Sequence, residues 1–195
     1  MDHGSVVGNK KMAIVMEYMK KRICSIKNLR RSLRKKYPKL FKNYPALDVA
    51  IWFINSIDRE AGDSITNLRL QKFLYLSEAW HQVMVGEDLL MEEFEAWAHG
   101  PVVSEIYNIF KDYGWKALEP MEPFHVKFPE ETLEVLNLVK EVYDSFTTRQ
   151  LEEIVCQHQP YINARAGFAP EARCTNIIPK QEIKRFFKEK YSHIF

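Results

Sequence analysis

Glu78 and His81 are the first residues whose types and spacing could do chemistry, because they stand one helical turn apart in a stretch that predicts a long helix. Di-iron centres of helix bundles use this spacing, but they need a second Glu-x-x-His pair and further carboxylates. The sequence has neither. We therefore expect no metal and no cofactor here, and a surface or capped pair instead.

Cys156 and His158 could form a nucleophile and its base only through tertiary proximity, because two helical positions apart they point in different directions. A buried structural thiol is the favoured interpretation. The segment from Gly4 to Lys10 is one residue too short for a phosphate loop and lacks the Ser or Thr that follows its lysine. No assembled catalytic set is found, so we expect a protein that is not an enzyme.

Charge divides the 195 residues into two parts. Residues 1–45 carry a net charge of +11, and residues 46–195 carry −9. We predict a basic N-terminal arm over 1–45 and a folded body over 46–195. Three cysteines with wide spacing predict no disulfide framework, and no apolar run is long enough for a membrane span. The expected compartment is the cytoplasm, without stable membrane insertion.

The periodicity of the arm sequence predicts an amphipathic helix, with methionines and isoleucines on one side and basic residues mostly on the other. The candidate basic contacts are Lys20, Lys21, Arg22, Lys27, Arg30, Arg31, Arg34, Lys35 and Lys36. Three interpretations stay open. The arm binds an acidic surface of the body or of a partner protein, it contacts nucleic acid, or it lies on an anionic membrane.

The body predicts a mainly α fold with a small antiparallel β element. Its helices are expected near 46–58, over 67–84 with Thr66 as N-cap, from Pro101 to Gly114, from Pro129, after Thr147 or Thr148, and from Pro179. Alternation predicts strands at 93–98 and 124–128, paired as a ribbon. Gly100-Pro101 should form the strand-to-helix turn, and 161–166 a short turn after Pro160 interrupts a helix.

Three blocks resemble the Panacea-domain family of SocA-like and GepA-like antitoxins. They are Leu68-Arg-Leu-Gln-Lys-Phe-Leu-Tyr75, Phe94-Glu-Ala-Trp-Ala-His-Gly-Pro-Val-Val103 followed by Tyr107, and Pro160-Tyr-Ile-Asn-Ala-Arg165 with a closing helix at Ile177 to Phe187. The resemblance covers about 47–187. His99 stands where the family often has an aromatic residue, and Tyr161 stands where tryptophan is frequent.

The resemblance implies a compact multi-helix domain and a phage-associated antitoxin that neutralises a cognate protein toxin by direct binding. Two alternatives remain: a SocA-like adaptor that delivers its toxin to a protease, and a nucleic-acid-binding transcriptional regulator. A homo-oligomer is compatible with each.

Five residues of these blocks are candidate partner contacts: Lys72, Trp97, His99, Tyr107 and Arg165. Each also has a structural interpretation. Trp97 and Tyr107 could be core rings, Arg165 could pair with a carboxylate or cap a helix, and His99 could be a turn residue or a pH switch. Lys72 is expected to be a solvated helix residue.

Overall fold

The computed structural model describes residues 43–122 and 126–192. The basic arm, with every basic contact predicted on it, therefore lies outside the described residues, as do Phe124 and His125 of the second predicted strand. Over the described ranges the chain forms seven α-helices, a short 3-10 turn and one small three-stranded antiparallel sheet. The mainly α fold class with a small β element is confirmed.

Helix α1 spans Ala46–Ser56 and α2 spans Asn67–Met84. Helix α2 begins where its N-cap predicts, because the Thr66 hydroxyl accepts a hydrogen bond from the Arg69 backbone N–H at 3.3 Å. All of its 18 residues except Leu68 are buried. This confirms the prediction of a central helix with apolar residues on most of its faces.

The remaining helices surround α2. Helix α3 spans Ser104–Phe110 and is followed by the 3-10 turn Lys111–Tyr113; α4 spans Glu130–Tyr143, α5 Thr148–Cys156, α6 Gln159–Ala164 and α7 Lys180–Lys190. Helix α5 starts with a capping box between Thr147 and Gln150. Pro129 and Pro179 immediately precede α4 and α7, as predicted.

The sheet has the order β2-β1-β3, with β1 at Phe94–Trp97, β2 at Gly100–Val102 and β3 at Ile177–Ile178. The predicted ribbon is wrong in its partner. Strand β1 pairs with β2 and β3, and residues 126–128 belong to no strand.

Two predicted element starts were also wrong, each at a proline. Pro101 lies in β2 opposite Ala96. The Ala96 N–H donates to the Asn176 carbonyl oxygen, on the side of β1 that faces away from β2. Because this pair exchanges no hydrogen bonds, the missing N–H of Pro101 costs the sheet none. The helix therefore starts at Ser104. Pro160 occupies the first turn of α6, where proline is tolerated, so the predicted turn at 161–166 is largely helical.

Candidate functional site

The strand pair β1–β2 closes through a two-residue turn, Ala98-His99, between the paired residues Trp97 and Gly100. Gly100 has a φ of +102°, a conformation that L side chains rarely adopt. A Cβ at this position would also lie 2.8 Å from the Lys72 Nζ and 3.0 Å from a methyl group of Val155. Only glycine fits this turn without strain.

Four successive carbonyls of the hairpin, from Ala96 to His99, accept hydrogen bonds from three side chains. Arg165 Nη1 donates to Ala96 at 2.8 Å, and the Tyr161 hydroxyl lies 2.7 Å from the Trp97 oxygen and 3.2 Å from the Ala98 oxygen. Lys72 Nζ donates to the His99 oxygen. The donors come from the first and third family-like blocks and the acceptors from the second. The three blocks therefore build one structural unit.

Lys72 is wholly buried beneath this turn, so its interpretation as a solvated helix residue is wrong. Burial lowers the pKa of its ammonium to about 8, and the nearby Cys156 and Glu152 oppose that shift. The hydrogen bond to the His99 carbonyl partly compensates the buried charge. Because its Nζ faces the hairpin backbone, Lys72 supports the turn from inside.

Arg165 is 8% exposed, and its guanidinium binds carbonyl oxygens of a strand and a loop instead of the carboxylate or the helix end that the sequence suggested. Its Nη2 donates to the oxygens of Ala169, Pro170 and Ala172, at 2.8 to 3.0 Å, while Nη1 holds Ala96. One guanidinium thus ties the loop after α6 to strand β1.

Two neighbouring cavities open beside the turn and share Leu68, Ala98, His99 and Trp115 as lining residues. The larger has a volume of about 990 Å³ and the smaller about 350 Å³. Together we call them the hairpin groove. Leu68, the one α2 residue that is not buried, lies in this groove.

Four of the five predicted partner contacts line the hairpin groove. Trp97 and Tyr107 meet in the smaller cavity, with ring centroids 4.8 Å apart at 62°. His99 lines both cavities, and its Nδ1 lies 2.9 Å from a carboxylate oxygen of Glu152. Arg165 also lines the larger cavity but uses its nitrogens internally.

Exposed apolar side chains surround the larger cavity, and the sequence analysis missed them. Trp115 is 83% exposed, and Ile162 and Phe168 are nearly half exposed. Trp115 belongs to no helix or strand, so periodicity carries no signal for it. Its position directly after Gly114, which ends the 3-10 turn, is the one sequence feature that could have indicated an exposed ring.

Cys156 also lines the larger cavity and is partly exposed. Burial raises the pKa of its thiol, while the Tyr161 hydroxyl and the Lys72 charge oppose the shift. The His158 ring packs against Tyr75 and Phe187, and its Nδ1 lies 3.4 Å from the Tyr75 hydroxyl oxygen. The structure therefore does not join Cys156 and His158 into a nucleophile and base.

Glu78 and His81 are both buried and serve the loop that follows α2. The Glu78 carboxylate accepts hydrogen bonds from the backbone N–H groups of Leu89 and Leu90, at 3.1 and 2.8 Å, and His81 Nδ1 lies 2.8 Å from the Glu87 carbonyl oxygen.

Within residues 43–122 and 126–192, no three His, Cys, Asp or Glu side chains are grouped closely enough to hold a metal ion. None of the helices in these ranges has the length and apolarity that a bilayer crossing requires.

Residues 70–161 match the model of a protein family described as "Antitoxin SocA-like, Panacea domain". This range contains most of the first family-like block, the whole second block and the start of the third. The family resemblance is confirmed, and the match supports a role related to toxin–antitoxin systems. No curated protein and no solved structure matches the chain.

Proposed function

We propose that this protein, which carries a SocA-like Panacea domain over residues 70–161, is an antitoxin that neutralises a cognate protein toxin by direct binding. The observation that carries the proposal is the hairpin groove, where the family blocks converge and apolar side chains are exposed at the rim. Binding of this kind needs no cofactor and no catalytic group. We therefore propose that the protein is not an enzyme.

Trp115 supports the proposal, because its side chain is 83% exposed and lines one cavity together with other exposed apolar side chains, and such patches mark binding surfaces. Ile162 and Phe168 extend the same apolar rim. Tryptophan is the side chain most enriched among residues that dominate binding energy at protein interfaces. We propose Trp115 as the anchor of the toxin interface.

The five predicted contacts divide into two roles under this proposal. Trp97, His99 and Tyr107 face the hairpin groove and would contact the toxin. Lys72 and Arg165 hold the hairpin in shape and act on the toxin only through it. This division accounts for the family pattern, since both the wall of the groove and its internal supports must be present for binding.

The proposed site of action is the cytoplasm. Within the described residues Cys156 and Cys174 are free thiols, a state that a reducing compartment maintains. The toxin would be encoded beside this gene, and an association with phage belongs to the same proposal. The partner of the basic arm remains an acidic protein surface, nucleic acid or an anionic membrane. Binding to random duplex DNA that weakens with salt would identify nucleic acid.

Co-expression with the products of the neighbouring genes tests the proposal. The wild-type protein should rescue cells from one of them and co-purify with it. Trp115→Ala should abolish rescue while the purified variant keeps its melting temperature, because its ring is mostly in solvent. Met91→Ala is the matched control, since Met91 is 52% exposed but lines neither cavity. If no neighbouring product is toxic, or if both variants rescue equally, the proposal fails.

The same experiment separates steric blocking from delivery to a protease, which the SocA-like family assignment makes the second candidate. Blocking leaves the toxin at constant abundance, and rescue persists in a protease-deficient host. Delivery lowers toxin abundance, and rescue disappears in that host.

A further inference from the structure

The smaller cavity of the hairpin groove has an unusual combination of walls. The rings of Trp97, Tyr107 and Trp115 line it together with two cations, Lys111 and Arg173. Its volume of about 350 Å³ suits one or two side chains of a binding partner. We call it the aromatic cavity.

The apolar walls of the aromatic cavity are held in place by the protein itself. The indole N–H of Trp97 donates to the Glu95 carboxylate at 2.7 Å, and the ring meets Tyr107 edge to face. The buried Asn67 amide donates to the Tyr107 backbone oxygen at 3.0 Å. Walls fixed before binding lose little conformational entropy when a ligand enters.

The two cations of the aromatic cavity have no partner for their side-chain charge among the described residues. Lys111 and Arg173 are exposed, and neither forms a salt bridge or a side-chain hydrogen bond with any described residue. No carboxylate is among the described residues that line this cavity, and the nearby Glu95 already bonds Trp97. The larger cavity, by contrast, is lined by two carboxylates, of which Glu153 pairs with Arg149 and Glu152 lies 2.9 Å from the His99 Nδ1.

We propose that the aromatic cavity receives an apolar side chain of the toxin that is flanked by carboxylates, and that these carboxylates pair with Lys111 and Arg173. This inference rests on the proposed function, because it names the chemistry of the toxin segment that enters the groove. Apolar walls select the inserted side chain, and the charges of Lys111 and Arg173 select the sign of its neighbours.

The charge of the cavity argues against the arm of this chain as its occupant. Residues 1–45 carry a net charge of +11, which Lys111 and Arg173 would repel. An acidic segment of another protein is the occupant whose charge complements both cations.

Peptide binding to the full-length protein tests the cavity without a toxin. The probe is acetyl-Gly-Asp-Phe-Glu-Gly-amide, and the control is its neutral Asn/Gln counterpart. Binding is followed by the indole N–H signals of ¹⁵N-tryptophan-labelled protein, which has four tryptophans. We expect saturable shifts of the Trp97 and Trp115 signals, with about tenfold weaker binding for the neutral peptide and weakening by salt.

Charge-reversal variants identify the cations. Lys111→Glu and Arg173→Glu should each raise the dissociation constant of the acidic peptide about threefold or more. Lys188→Glu, on the exposed part of α7, is the control and should leave it unchanged. The inference is overturned if the acidic peptide gives no saturable shift, if the neutral peptide binds equally well, or if all three variants weaken binding alike.

Rescue of cells from the toxin distinguishes failure of this inference from failure of the proposed function. If Trp115→Ala loses rescue but Lys111→Glu and Arg173→Glu both retain it, the antitoxin function stands and the acidic occupant is wrong. If no neighbouring product is toxic, the proposed function fails. The peptide experiment alone then decides whether the aromatic cavity binds an apolar side chain flanked by carboxylates. Light scattering checks the remaining occupant, because loss of a dimer in Lys111→Glu would indicate a second copy and overturn the inference.

Discussion

Gly100 combines two constraints that most turn glycines meet singly, a positive φ and a close approach to another side chain. The nearest atom, the Lys72 Nζ, has little freedom to move because it is buried and bound to the His99 oxygen. The hairpin turn, the buried lysine and the glycine therefore depend on one another. A change at any of them should disturb the groove that the turn borders.

Replacing Gly100 with Ala should lower the free energy of unfolding by about 2–4 kcal/mol, from backbone strain together with overpacking against Lys72. Gly62→Ala is the matched control, because Gly62 has a φ of +89° and nothing within 4 Å of the added carbon. The control should lose about 1–2 kcal/mol from strain alone. Denaturant unfolding measures both, and equal losses would contradict the overpacking at Gly100.

The candidate site could be predicted in part, and its residues show where prediction stopped. Trp97, His99 and Tyr107 were identified through the family blocks and do line the groove. Lys72 was misassigned because most helical lysines are solvated, and burial beneath a hairpin depends on contacts that are distant in sequence. Trp115 was missed because an exposed ring outside any periodic element leaves no pattern.

At the scale of elements, helices that carried both a cap and an apolar stripe were predicted closely. Helix α2 was predicted at its observed bounds, and α5 and α7 at their starts. Strand β1, at Phe94–Trp97, lies within the predicted 93–98. Strands β2 and β3 were not predicted, since they have only three and two residues, too few to establish an alternation. The hairpin of β1 and β2 is held by Lys72 of α2 and Tyr161 of α6, which are distant from it in the sequence.

Glu78 connects α2 to the following loop and gives that contact a pH dependence. Burial raises the pKa of Glu78 to about 7, although Lys180 and the bonded N–H groups of Leu89 and Leu90 oppose the shift. The folded protein therefore binds this proton more tightly than the unfolded chain does. The contribution of Glu78 to stability is highest below pH 4.5 and is lost as the pH rises to about 7.

Glu78→Gln should remove this dependence. The free energy of unfolding of the wild type, taken relative to that of Glu78→Gln, should fall by on the order of 3 kcal/mol between pH 4 and pH 8. His158 acts in the opposite direction, because burial lowers its pKa to about 3 and its contribution is lost as the pH falls below 6.5. The subtraction cancels that effect, since both proteins contain His158. A difference that is constant with pH would disprove the shift at Glu78.

At the scale of the whole molecule, a basic arm of +11 precedes a body of −9. Tyr44, which precedes the first helix, already contacts the body. The backbone N–H of Tyr44 donates to Leu89 at 2.7 Å, and its carbonyl accepts from Met91 at 2.9 Å. The Tyr44 ring meets Phe128 edge to face at 4.8 Å. Tyr44, which lies within the predicted arm 1–45, thus contacts the loop after α2 that the Glu78 carboxylate holds through Leu89 and Leu90.

Two deletions that differ by two residues test where the folded unit begins. Removing residues 1–42 should leave the free energy of unfolding within about 0.5 kcal/mol of the full-length value, because the contacts of Tyr44 are kept. Removing residues 1–44 should cost about 2–3 kcal/mol, since it deletes two backbone hydrogen bonds and an aromatic pair. Denaturant unfolding measures each, and Tyr44→Ala in the full chain should lose only the side-chain part, which is the ring contact with Phe128 and the hydrogen bond with Thr132. If the shorter deletion is already as costly as the longer one, the arm itself contributes to the stability of the body.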